Sequence, residues 1–321
     1  MIKLSNKRQL DYVVASGALG FDGKGWFWEK PLIWLGLIYL PFFTVVLRTL
    51  TRQPRLYPVS NLSWWRPWTW LPFSPWSCVR FLPDGGVVNK VGFYNPGFDW
   101  WLSKVAPRLN FRDTRLIVSI AGTAEELAEM ARALNNLSLT ALELNVSCPN
   151  SGHPLATAET VIKAAKLVWH STHHPIIIKV SADQPYLAIA QGLADVAEAV
   201  SLNSVPWKKV FPNQISPLWR LEKNNDGGGG VSGGSAQHLN WLAVRELAQQ
   251  GSLPVIGASP MNYSDVVSLR AQGAQAISFG AIHLKNPCLP TAIVRQEKQA
   301  VSAEARKDLY HADFVEYPTV V

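Results

Sequence analysis

From position 116 onward the chain alternates short apolar runs with stretches whose apolar residues recur at helical spacing. That alternation leaves few folds open. Short Val/Ile-rich runs read as strands buried on both faces, and helices between them require parallel pairing. The predicted strands are 116–120, 140–146, 176–180, 200–205, 254–257 and 276–280. Helices are predicted over 157–170, 186–199, 236–250 and 264–272, and from Gly122-Thr123 onward. Thr123 and Glu126 are spaced as a capping box. Leu127, Met130, Ala131 and Leu134 share one helical face. Gly251 is placed as a helix C-cap.

An open doubly wound sheet and a closed barrel both satisfy this pattern. The polar residues separate them. Asn145, Cys148, Lys179, Asn203, Gly257 and Gly280 all fall at the C-terminal ends of predicted strands. Convergence from so many strands on one face is what a closed barrel supplies. The expected architecture is therefore an α/β (β/α)8 TIM barrel with a Trp-rich insertion, one domain spanning residues 1–321. Two pieces fall outside the repeat, insertions at about 57–80 and 206–226, and both are expected to act as lids over the barrel mouth.

Three scattered cysteines, Cys78, Cys148 and Cys288, give no disulfide framework or Cys-x-x-Cys pair, which excludes a zinc module and fits a reducing, cytoplasmic setting. No metal site is expected. The N-terminal stretch has neither the apolar core nor the cleavage site of a secretory signal. The net charge of +7 is uneven: between Lys30 and Arg115 there are 11 Lys/Arg against three acids, together with eight of the 14 tryptophans. Trp beside Arg is the composition of a membrane-interface surface, so peripheral membrane contact stands as an alternative to a rigid insertion packed on the barrel. Residues 31–47 are uncharged but fall short of the about 20 residues a spanning helix needs, and Gly36 and Pro41 interrupt them. They are read as a buried helix followed by a strand. The basic segment sets its tryptophans among prolines rather than along a strand for base stacking, so nucleic acid is not an expected partner.

The chemistry concentrates in Glu143-Leu144-Asn145-Val146-Ser147-Cys148-Pro149-Asn150-Ser151-Gly152. A strand delivers a thiol flanked by two carboxamides into a Pro/Gly turn. The thiol can serve as a base, and each carboxamide offers both a donor and an acceptor to a planar imide. The plain alternative is a structural cysteine beside turn-forming asparagines. Lys179 ends an otherwise apolar strand and must find an anion, either a buried carboxylate or a charged ligand. Gly257 and Gly280-Ala281 follow consecutive strands late in the chain, where barrels commonly hold phosphate on backbone N–H groups. A G-x-G-x-x-G fingerprint and a Walker loop are both missing. A mononucleotide such as FMN fits better than a dinucleotide.

At these residues the sequence resembles a known family. Asn145-Val146-Ser147-Cys148-Pro149-Asn150 is similar to the active-site loop of dihydroorotate dehydrogenases of the cysteine-bearing, class 1 branch; the membrane-linked branch carries serine. Ala15-Ser16-Gly17 resembles the family's first flavin-contacting turn. Arg48-Thr49-Leu50-Thr51 with Pro54-Arg55 resembles its Lys-Thr-x-Thr segment, and Asn89-Lys90-Val91-Gly92-Phe93-Tyr94-Asn95-Pro96-Gly97 its substrate loop. Lys179 matches the flavin lysine, and Asn203-Ser204 the second substrate carboxamide with its hydroxyl neighbour. Gly229-Gly230-Val231-Ser232-Gly233 resembles a Gly-Gly-x-Ser-Gly turn more typical of the membrane-linked branch.

The resemblance implies FMN-dependent oxidation of (S)-dihydroorotate to orotate in pyrimidine biosynthesis, with Cys148 as the base. Asn89, Asn145, Asn150 and Asn203 would hold the ring, and Gly92-Phe93 the substrate carboxylate. Ala15, Ser16, Gly17, Arg48, Thr49, Asn145, Lys179, Gly233, Gly257, Ala258, Ser259, Gly280 and Ala281 would hold FMN. The expected assembly is a homodimer, and the oxidant is left open among fumarate, a quinone and a partner flavoprotein. Two departures keep other readings alive. Arg48 stands where the family has lysine, and Gly257-Ala258-Ser259-Pro260-Met261 replaces Gly-x-Gly-Gly-Ile, removing one N–H at Pro260. A non-catalytic barrel that binds a ligand or partner, and a flavin enzyme for another pyrimidine, are the alternatives.

Overall fold

The computed structural model describes residues 1–55, 78–147, 157–218 and 228–312, with the side chains of 303–312 excepted. Eight parallel strands close into a barrel: β1 (Tyr12–Val14), β2 (Thr44–Val46), β3 (Leu116–Ala121), β4 (Ala141–Asn145), β5 (Ile176–Val180), β6 (Ala199–Leu202), β7 (Val255–Gly257) and β8 (Ala276–Phe279). Each pairs with the next, β8 returns to β1, and the β2–β3 pairing completes the ring. The expected TIM barrel is the fold observed.

Helices that flank the sheet include α1 (Ala124–Ala133), α2 (Ala158–Trp169), α3 (Tyr186–Gly192), α4 (Gln237–Gln250), α5 (Tyr263–Ala271) and α6 (Leu289–Ala312). Thr123 caps α1 with its side chain, and Glu126 reaches back to the Thr123 N–H at 2.9 Å. The apolar face read from sequence is the buried one, with Leu127, Met130, Ala131 and Leu134 inaccessible. Helix α3 ends at Gly192, seven residues before the expected 199, and a turn over 193–198 precedes β6. Gly251 does cap α4, but with φ −83 it is not there for a left-handed turn. A Cβ at that position would lie 2.3 Å from the Leu247 carbonyl oxygen.

The reading of 31–47 needs correction. The helix over Lys30–Trp34 is only five residues long and is not buried: Trp34 is 86% exposed and Leu35 62%. Gly36 at φ +69 stops it, and strand β2 then follows as expected. No helix among the described residues is long and apolar enough to cross a membrane.

The barrel interior is layered. An N-terminal hairpin (Ile2–Lys3 with Gln9–Leu10) plugs the bottom, where Ile2, Leu4 and Leu10 pack with Val46, Ile117, Ala141, Ile177 and Ala276. Above that apolar floor, strand alternation points Ser119, Glu143, Lys179, Ser201 and Ser278 inward, and all five are buried. Val79–Phe81, Val87–Asn89, Gly230–Ser232 and Val205–Pro206 form a small antiparallel sheet with its own core of Val88, Val205, Trp207, Leu218 and Val231. Most of the Trp-rich segment 57–80, and residues 219–226, lie outside the described residues.

Candidate active site

A cavity of about 290 Å³ opens at the C-terminal end of the barrel. The turn after β1 supplies Ala15, Ser16 and Gly17, and the segment after β2 supplies Arg48 and Thr49. Strands β4 to β6 bring Asn145, Lys179, Asn203 and Ser204, while the small sheet and its loop bring Asn89, Gly92 and Phe93. Ala258, Ser259, Gly280 and Ala281 close the far wall. Two expected residues stand behind that wall. The Gly233 N–H is hydrogen-bonded to Ser259 Oγ at 3.3 Å, and Gly257 packs outward, where a Cβ would meet Ala274 Cβ at 2.9 Å. Cys148 and Asn150 lie outside the described residues.

Adjacent residues of a regular strand point to opposite faces, yet Arg48 and Thr49 both line the cavity. The register explains it. Val46 pairs with Ile117 and Leu50 with Ile120, so four steps on one strand span three on its neighbour. The extra residue is a β-bulge, a device that re-aims side chains beside binding sites. Arg48 is held by its Nε donating to the Tyr94 carbonyl at 3.0 Å and by the Phe21 ring, 5.6 Å from its guanidinium. Burial pulls the guanidinium down to about 10, so it stays cationic at neutral pH.

One polar chain joins the middle layer of the barrel to the cavity. Lys179 Nζ lies 3.6 Å from Glu143 Oε1, with both residues buried. Ser119 Oγ donates to the same carboxylate oxygen at 2.7 Å and sits 2.9 Å from Thr49 Oγ1. Asn145 Nδ2 donates to Thr49 Oγ1 at 3.1 Å, Ser147 Oγ to Asn145 Oδ1 at 3.3 Å, and Asn203 Nδ2 to Ser147 Oγ at 3.0 Å. Lys179 thus has the buried carboxylate that its setting demanded. Glu143, Ser119 and Ser147 escaped the sequence reading, although a period of two places Glu143 on the same face as Asn145.

Asn95 holds the loop that carries Gly92 and Phe93. Its Nδ2 donates to Thr51 Oγ1 at 2.8 Å and to the Phe93 carbonyl at 2.6 Å, while its Oδ1 accepts from the Gly97 N–H at 2.8 Å. Asn95 is buried, so Asn95→Ala should cost about 2–3 kcal/mol by chemical denaturation, the desolvation penalty of the orphaned partners. A variant within ~0.5 kcal/mol of wild type would show that water replaces those bonds.

Trp26 and Trp28 also line the cavity and were not singled out in sequence. They stack with centroids 5.5 Å apart and rings 7° from parallel, and Trp26 Nε1 donates to the Ala18 carbonyl at 2.9 Å. Among the described residues no group of three or more His, Cys, Asp or Glu side chains is placed to hold a metal ion.

Comparisons with known proteins match most of the chain. A family model described as Dihydroorotate dehydrogenase matches residues 78–300. The catalytic subunit of Dihydroorotate dehydrogenase B (NAD(+)) from Desulforudis audaxviator is 32% identical over 308 residues, covering 92% of this chain and 90% of the relative. The like-named subunit from Caldicellulosiruptor saccharolyticus is 32% identical over 213 residues, covering 63% of this chain and 69% of the relative. The structure of DHODH from Eimeria tenella with ferulenol superposes with a TM-score of 0.64 at 14% identity, covering 90% of this chain and 82% of that one. At that identity the likeness speaks to the fold alone.

Proposed function

Because the chain belongs to the dihydroorotate dehydrogenase family, a flavin-dependent group of oxidoreductases acting on CH–CH donors, we propose that it oxidises (S)-dihydroorotate to orotate with FMN. One observation carries the reading. Three carboxamides (Asn89, Asn145 and Asn203), a buried lysine and the loops after β7 and β8 share a single cavity. Carboxamides suit a neutral imide, since each matches a ring carbonyl or N–H. The residues present also fit FMN. Ser259 lines the wall where its phosphate would lie, and Gly280 leaves space beside Ala15, where a Cβ would approach Ala15 Cβ to 3.3 Å.

In this reading Cys148 removes the C5 proton of the substrate, and Asn89, Asn145, Asn150 and Asn203 orient the ring. Gly92 and Phe93 face the carboxylate, with Ser204 beside Asn203. Ala15, Ser16, Gly17, Arg48, Thr49, Ala258, Gly280 and Ala281 frame the cofactor space, Gly233 and Gly257 support that wall from behind, and Lys179 offsets negative charge there. FMN, when bound, supplies the acceptor for the C6 hydride. The relatives' printed names, catalytic subunit and NAD(+), favour a partner protein as the oxidant over fumarate or a quinone. Among the described residues, exposed Phe27, Trp28 and Trp34 beside Lys24 and Lys30 are what supports peripheral membrane contact.

Purified protein should be yellow, and its flavin absorbance should bleach when dihydroorotate is added without oxygen. Bleaching by other pyrimidines but not by dihydroorotate would move the assignment to another substrate. A preparation that stays colourless and inert after incubation with FMN would overturn it.

A further inference from the structure

We propose that Ser259 supplies a hydroxyl donor to the flavin phosphate, and that Asn240, behind the cavity wall, forces that hydroxyl to donate. The inference rests on the FMN reading and adds to it a role for the Ser259 hydroxyl, and Asn240 as the residue that orients it, in selecting the phosphorylated cofactor.

A serine hydroxyl has one proton and two lone pairs. At Ser259 the Gly233 N–H and Asn240 Nδ2 both donate to Oγ, at 3.3 and 2.9 Å. Both lone pairs are then occupied, and only the proton is left to engage. No acceptor among the described residues takes it, and Ser259 lines the cavity. A phosphate oxygen is the partner such a proton suits best, because hydrogen bonds to charged acceptors are the strong ones.

The surroundings show that the position is built. Ser259 sits at φ +68, a conformation costly for a residue with a Cβ. Its carbonyl accepts from Gln237 Nε2 at 3.0 Å, which also donates to Asp265 Oδ2 at 2.7 Å, and that oxygen takes the Met261 N–H at 2.7 Å. Asn240 is fully buried and leaves its own Oδ1 without a partner among the described residues. Orphaned polar atoms of that kind are rare in native proteins and call for a reason. Here the reason is orientation: the amide gives its N–H to Ser259 and so points the hydroxyl proton outward. The loop needs such a donor, because Pro260 contributes no N–H.

The test titrates the full-length chain with FMN and with riboflavin, following quenching of flavin fluorescence. Wild type should prefer FMN. Ser259→Gly accepts a positive φ and removes only the hydroxyl, so it should fold, bind riboflavin as wild type does, and lose about tenfold to a hundredfold in FMN affinity. Asn240→Asp presents an acceptor, captures the Ser259 proton, and should lose FMN preference in the same direction. A wild-type FMN-to-riboflavin ratio in Ser259→Gly would overturn the donor, and an unchanged ratio in Asn240→Asp would show that the amide accepts rather than donates. A wild-type chain that does not distinguish FMN from riboflavin would sink the FMN reading itself, a result separable from the other two.

Discussion

Cys148→Ala should cut the rate of dihydroorotate oxidation by ~10²–10⁴-fold while leaving flavin binding intact. The size follows from the role. A general base is the one group on the substrate side that must change its protonation during the reaction, whereas each carboxamide only holds the ring. Cys148 follows directly on Ser147, whose hydroxyl links the carboxamides of Asn145 and Asn203. A rate that needs a free thiolate rises with pH until the thiol has titrated, near ~8.5 for an unperturbed cysteine. Wild type should therefore speed up with rising pH across the neutral range, and the residual rate of Cys148→Ala should lose that dependence. Rapid-mixing measurement of flavin bleaching against pH reads both at once. Turnover at the wild-type level in Cys148→Ala would remove the thiol from the chemistry.

Much of the barrel was legible because its second half obeys local rules. Strands β3 to β8 are apolar runs bounded by turn residues, and α1 announces itself with a capping box. The first quarter was harder. Strands β1 and β2 have three residues each and carry almost no periodicity, so the pattern could not separate 31–43 from a longer buried helix. The small antiparallel sheet was invisible for the same reason, since its strands are two or three residues long and come from segments more than a hundred positions apart. The cavity-lining residues on the strand ends were readable as polar interruptions of apolar runs. The bulge that turns both Arg48 and Thr49 inward was not, because it is a property of register against β3 rather than of either residue. Glu143 was in plain view in Ala-Leu-Glu-Leu-Asn, but an acid diagonal to a lysine on the next strand is a tertiary fact.

That pair sets up the second large effect. Lys179→Met should destabilise the fold by about 3–5 kcal/mol, because it strips the countercharge from a carboxylate buried on the inside of the barrel. Among the described residues Glu143 keeps the Ser119 hydroxyl at 2.7 Å, a neutral donor. Lys179→Met combined with Glu143→Gln removes both charges and should recover most of the loss. Urea denaturation with and without added FMN separates two roles for the lysine. A deficit seen without flavin belongs to the ion pair. A deficit below ~1 kcal/mol that appears only with flavin present would mean that Lys179 serves the cofactor alone, and that Glu143 tolerates burial by some other means.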